Sequence, residues 1–165
     1  LDNMAHISGQ GQVLEDGTFA QGVVGKDLTL EIDQENAQRC GLAILTALKN
    51  EIGDLNKVTQ LVKLTGFVNC TNDFTKQPLV INGCSDLMKN VFGEKGVHAR
   101  AAVGVNSLPL GFSVEKYLIY LLLDYLHLLT GCRLVYFPGR QCIMLLPGYH
   151  KQAHLLEKSY YPYLP

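Results

Sequence analysis

The segment His98-Ala-Arg-Ala-Ala-Val-Gly-Val-Asn-Ser-Leu-Pro-Leu-Gly-Phe-Ser-Val-Glu115 decides how the chain is read. From Val97 to Asn106 it alternates strictly, the period-2 pattern of a β-strand. One face carries Val97, Ala99, Ala101, Val103 and Val105, an apolar row expected to pack under helices. The other carries His98, Arg100, Ala102, Gly104 and Asn106. Arg100 is the permanent charge on that second face, and its neighbours Ala102 and Gly104 are small. Leu108-Pro109-Leu110-Gly111 then turns the chain. Phe112 to Glu115 starts a return strand, which is expected to bring Glu115 towards the same cleft. Spacing alone reads Arg100 first as a strand-edge charge paired with some carboxylate. The position also suits a guanidinium that offers its planar fork to a ligand carboxylate, with empty space beside it.

Working outward, three further segments fall in order: Ile7-Ser8-Gly9-Gln10, the Lys63-to-Phe74 strand with its Asn-Asp-Phe, and Asn82 in a helical stretch. With Arg100, Val103, Val105, Leu108-Pro109 and Val114-Glu115, this pattern resembles the reactive intermediate deaminase family, also called YjgF. The resemblance runs from about Met4 to Glu115 and stops there. It implies an α+β, chorismate-mutase-like fold, a mixed sheet with two helices on one face. It also implies a homotrimer whose sheets form a central barrel, with ligand sites in clefts between neighbours. Such proteins hydrolyse reactive enamines and imines, such as 2-aminoacrylate, to 2-keto acids and ammonia, and need no cofactor or metal. On that resemblance Arg100 grips the substrate carboxylate and Glu115 positions, and deprotonates, the attacking water. Ser8, Gly9 and Asn82 complete the pocket. Family members often carry a Cys two residues past the Arg; here Ala102 stands there, so no thiol contributes.

The rest of the chain is read from its own residues. Asp33 to Ile52 repeats Ala37, Gly41, Ile44, Leu45, Leu48 and Ile52 at helical spacing, with Asp33 as the expected N-cap and Gly53 as the stop. Val58 to Cys70 reads as a strand covered in part on both sides, and residues 75–92 as a second helix with Pro78 in its first turn. Glu15-Asp16-Gly17-Thr18 is a turn signal, which places a β-hairpin over roughly residues 4–24. The expected order is therefore β-β-α-β-α-β-β.

Composition breaks at Glu115. All eight tyrosines and 13 of the 27 leucines lie after it, whereas 13 of the 15 acidic residues lie in 1–115. Nine basic against thirteen acidic residues give the first part −4; five against two give the tail +3. Residues 1–115 are accordingly expected to form the family-like domain, with a start that lacks Met and lies within a longer sequence. Residues 116–165 are expected to be a divergent tail of frameshift, intron or alternative-exon origin. Tyr117 to Leu129 reads as either a continuing strand or a buried helix, too short and too interrupted for a membrane span. His127, His150 and His154 show no ligand spacing.

Function classes narrow accordingly. A formal charge of −1 carries no field for a polyanion, which argues against nucleic acid as partner and against ribonuclease activity. Five scattered cysteines without a CxxC pair suit reduced thiols and a cytoplasmic or organellar setting. There is no P-loop, GxGxxG after a strand, GxSxG or HExxH. Two readings remain. One is deamination of imines; the other is a non-catalytic trimer that uses the same Arg to bind small carboxylates or a protein partner.

Overall fold

Alternation of branched apolar residues along Val58–Asn69 builds β2, and the rest of the sheet assembles on it. The computed structural model describes residues 4–14, 17–123, 133–137 and 141–146. Their elements run β1 (Met4–Gln10), α1 (Leu30–Ile52), β2, α2 (Gln77–Phe92), β3 (Ala99–Val105), β4 (Val114–Leu122), β5 (Arg133–Phe137) and β6 (Gln141–Leu146). The strands form a six-stranded mixed sheet in the order β3-β2-β4-β1-β6-β5. Only the β2–β3 pair is parallel, and α2 is the crossover between them. Both helices lie on one face, the α+β arrangement expected from the sequence.

The helix boundaries have local causes. Thr29, not Asp33, caps α1: its hydroxyl accepts from the Ile32 amide at 3.4 Å. At the other end Gly53, at φ 81°, returns its N–H to the Lys49 carbonyl at 2.8 Å. Asp33, one turn in, is instead buried. Its carboxylate accepts from the Ser113 hydroxyl and from Asn36 Nδ2, tying the start of α1 to the start of β4. The helices meet the sheet through Ala37, Ile44, Leu48, Ile81 and Met88 against Leu64 and Leu118, all fully buried. Among the described residues no helix is long and apolar enough to cross a membrane.

Two expectations change and one open choice resolves. The hairpin over residues 4–24 does not form. The chain does turn between Leu14 and Thr18, but the described residues of 11–24 contribute single bridges, Val13 to Phe19, Gln21 to Phe112, and Val24 to Leu28 and Cys70. β1 pairs instead with β4, which offers a nine-residue edge. The apolar row of β3 does not lie under the helices: Val97 and Val103 are 52% and 43% exposed, and Arg100 is on the helix side. The open choice at Tyr117 resolves as strand, since β4 continues to Leu122. Residues 124–132 and the three tail histidines lie outside the described residues, while the backbone of β6 adds antiparallel to β1 from Met4 to Ile7.

One residue sits against the grain of this core. Lys116 is fully buried on the helix side of β4 and donates to the Ala37 carbonyl at 2.9 Å. Burial raises the Asp33 pKa; the bonds from Ser113 and Asn36, and after them the Lys116 charge, oppose that rise. A buried, singly bonded ammonium is costly to desolvate. Lys116→Met removes that cost but leaves the buried Asp33 carboxylate without its nearby cation, so stability should fall at neutral pH, read from the urea midpoint. Without the nearby cation Asp33 rises further. A carboxyl raised in the fold stabilises below its unfolded pKa and loses that contribution as pH increases. The variant's deficit should thus shrink on acidification towards the ordinary Asp range.

Candidate functional site

Arg100 is exposed on β3, at one edge of the sheet. Paired strands put residues in register on the same face, and Arg100 lies opposite Leu64, itself opposite Leu118. Leu64 and Leu118 are buried under the helices, so Arg100 projects to the helix side. There Nη1 donates to Asn82 Oδ1 at 2.7 Å and to Ser85 Oγ at 3.2 Å, both on α2. Asn82 and Ser85 are three apart on the helix and so share a face. His98 completes the cluster: Nε2 lies 3.1 Å from Ser85 Oγ, and Nδ1 lies 2.6 Å from the Gly96 carbonyl. Half-burial, and secondarily the Arg100 charge, hold the imidazole below its ordinary pKa despite the Gly96 bond.

The space expected beside Arg100 is filled. Ala102 packs against the core. A Cβ on Gly104 would meet Cys70 Sγ at 2.9 Å and Gln77 Nε2 at 3.0 Å. These small residues admit the start of α2 rather than a ligand, and the guanidinium faces outward.

Glu115 stands on the opposite, open face. It is in register with Phe67, which is in register with Val103, while Tyr117 lies opposite Thr65. β1 is irregular here: Ile7 faces Leu118 and Gln10 faces Lys116, so Ser8 and Gly9 together oppose Tyr117. This two-against-one bulge bends the strand, and Gly9 is what makes room. A Cβ at Gly9 would overlap the Glu115 carboxyl and meet the Tyr117 ring at 2.9 Å. Burial raises the Glu115 pKa, and the Tyr117 hydroxyl, which donates to the carboxylate, opposes that rise. Glu115 in turn raises Tyr117, after burial. The Tyr117 ring packs edge-on against Phe67 at 5.7 Å.

The five residues singled out in the sequence therefore fall into two groups. Arg100 joins Asn82; Glu115 joins Gly9 and the Ser8 bulge; the groups lie on opposite faces of one sheet. Sequence reasoning missed Ser85, His98 as a partner of Ser85, and Tyr117. Helical spacing from Asn82 and strand spacing from Glu115 were the signals that could have found the first and last.

The chain belongs to the YjgF/chorismate-mutase-like family: the model described as "YjgF/chorismate_mutase-like, putative endoribonuclease" matches residues 2–124. The match passes Glu115 and takes in all of β4. Protein TCP17 of Trypanosoma cruzi is 44% identical over 111 residues, 67% of this chain and 69% of that protein. The solved structure of Atu1372 from Agrobacterium tumefaciens, a protein of unknown function, is 43% identical with a TM-score of 0.70, covering 74% of this chain and 78% of its own. A Shewanella oneidensis structure, named as a "putative endoribonuclease", is 28% identical with a TM-score of 0.70, covering 74% and 81%.

The Glu115–Tyr117 pair makes a direct titration test. Tyr117→Phe removes a bond that favours the ionised carboxylate, so the Glu115 pKa should rise further above its ordinary value. Carboxyl-carbon NMR titration of both forms reads the shift. An unchanged or lower midpoint would show that the hydroxyl does not act on Glu115.

Proposed function

We propose that the protein is an enamine/imine deaminase that hydrolyses reactive intermediates such as 2-aminoacrylate to 2-keto acids and ammonia. One observation carries the reading: Arg100 is an exposed permanent cation whose partners, Asn82 and Ser85, are both uncharged. They orient the guanidinium without neutralising it, which leaves its charge for an anionic ligand. Family membership supplies the substrate class.

The chemistry then assigns roles to the two groups. Arg100 fixes the carboxylate of the 2-imino acid, the tautomer of the enamine, and so positions the C=N carbon. Glu115 takes a proton from water as its oxygen bonds to that carbon. The proton passes to nitrogen, giving a carbinolamine. Its hydroxyl proton then moves by way of Glu115 to the amino nitrogen as C=O forms and the C–N bond breaks, so ammonia leaves with the 2-keto acid behind. Because the groups occupy opposite faces of one sheet, the reading requires Arg100 of one copy to meet Glu115 of another. A homotrimer with intersubunit sites meets that requirement. The open face, with Val97, Val103 and Tyr117 exposed beside Phe67, supports such burial between copies. Ribonuclease action has less support. A groove of about 310 Å³ between α1 and α2 is lined by Glu31, Glu35 and Asp86 with Gln34, Gln38 and Gly83, the wrong sign for phosphate.

Hydrolysis of freshly generated 2-aminoacrylate, with pyruvate binding alongside, tests the roles. Arg100→Ala should lower kcat/KM by roughly a hundredfold or more, and Arg100→Lys nearly as much, since Lys lacks the fork. Glu115→Gln should cut turnover but keep pyruvate binding. Pyruvate binding without turnover in the unmutated protein would favour the non-catalytic carboxylate binder.

Assembly is a separate measurement. Light scattering should return three chains, and Val103→Glu, which places a carboxylate on the open face beside Phe67, should yield monomers. A stable monomer of the unmutated protein that still turns over the substrate would sink the intersubunit site.

A further inference from the structure

The cluster around Arg100 contains a hydrogen-bonded chain whose direction is fixed by its end. The Gly96 carbonyl is acceptor only, so His98 Nδ1 carries a proton. In the neutral ring Nε2 is then an acceptor, and the Ser85 hydroxyl donates to it. Ser85 Oγ in turn accepts from Arg100 Nη1. The order Arg100 to Ser85 to His98 to Gly96 is thereby set, with each donor polarising the next.

Protonation of His98 reverses one link. Nε2–H becomes a donor, and Ser85 Oγ receives it on its second lone pair while keeping the bond from Arg100. The Ser85 hydrogen is released and must find another acceptor. It belongs to an oxygen already touching the guanidinium, where an anion docked on Arg100 would offer it an acceptor. Such an anion also offsets the repulsion between imidazolium and guanidinium.

We propose that Ser85 and His98 are positioning residues that couple carboxylate binding at Arg100 to proton uptake by His98. The inference rests on the carboxylate-binding role given to Arg100 above and adds its regulation by pH. Charges around the ring agree with it. Arg100 is the charged group that acts on His98 among the described residues. α2 presents the neutral Ser85, with the charged Asp86 and Lys89 of the same helix exposed, and the preceding turn presents the Gly96 carbonyl. In that turn Lys95 directs its ammonium to the Val58 carbonyl at 3.4 Å, while Glu94 is exposed. On β2, Lys63 is in register with Ala99 and therefore stands on the opposite face. Burial and Arg100 depress His98 in the free protein, so the neutral form dominates until a ligand's negative charge restores its basicity. Affinity should tighten as pH falls through the ordinary histidine range, and level off once the free protein is itself protonated.

The probe is pyruvate, which stays anionic across the range, titrated calorimetrically between pH 5 and pH 8 in buffers of different ionisation enthalpy. The unmutated protein should bind about tenfold tighter at the acid end and take up protons on binding. His98→Gln keeps a polar group near Nε2 but does not titrate, so it should flatten the curve and abolish proton uptake. Ser85→Ala should shrink both the slope and the proton uptake, leaving only the part due to the ligand's charge; values equal to the unmutated protein's would remove Ser85 from the coupling. Glu115→Gln removes that carboxyl's own titration and should leave the His98-dependent slope in place. Thermal unfolding checks that each variant is folded. An equal slope and equal proton uptake in His98→Gln would overturn the coupling, as would pH-independent binding in the unmutated protein. Arg100→Ala separates the two levels: if pyruvate binds it normally, the carboxylate role of Arg100 has failed, whatever His98 does.

Discussion

Register along β2 is the constraint on which the site depends. Side chains alternate with period 2, so every pairing across β2 assigns its residues to a face. Leu64 places Arg100 and Leu118 on the helix side; Phe67 places Val103 and Glu115 on the open side. A slip of one residue in either ladder would exchange these assignments and bury the wrong half of the strand. What prevents the slip is the core itself. Leu64, Val68 and Leu118 are fully apolar and fully buried, and the alternative residues in their place would be Lys63, Phe67 and Tyr117.

A second constraint joins the helix layer to the site. Asp33, Asn36 and Ser113 form a buried polar knot between the first turns of α1 and the residue before β4. Asn69, at the end of β2, donates through its side chain to the Gly22 and Phe112 carbonyls, and its amide donates to Ser113. The turn that delivers Glu115 is thus held from two sides. Buried polar groups of this kind add less to stability than to uniqueness, since displacement would leave them without partners.

The sequence made the architecture legible where periodicity was strong. Both helices, β2 and β3 stand out because their apolar repeats match one period over many residues. Arg100, Asn82, Glu115 and Gly9 were identifiable, but how they pair was not. Faces were the weak point. An apolar row such as Val97 to Val105 satisfies a helix layer and an open face equally well, and only tertiary contacts choose between them. The first turn of α1 misled for a related reason. Asp33 is a good N-cap by type, yet Thr29 lies where the helical dihedrals begin, leaving Asp33 free to face inward. The hairpin signal at Asp16-Gly17 named a real turn, but turn residues say nothing about which strand β1 will choose.

The sheet order carries a consequence for how the chain is made. β1 precedes the other described strands in the chain, yet its two neighbours are β4 and β6, so Met4 meets Leu121 and Leu146. Neither of its edges can be closed until β4 and β6 have left the ribosome. The β2–β3 unit and its helices need only local segments and can consolidate first, whereas β1 must wait through a long loop closure. During that wait Ala5 and Ile7, fully buried at the end, lie on an unpaired strand. Such a strand is a binding site for holding chaperones and a nucleus for association between nascent chains. A slow and vulnerable step in the folding of this sheet is therefore the docking of β1.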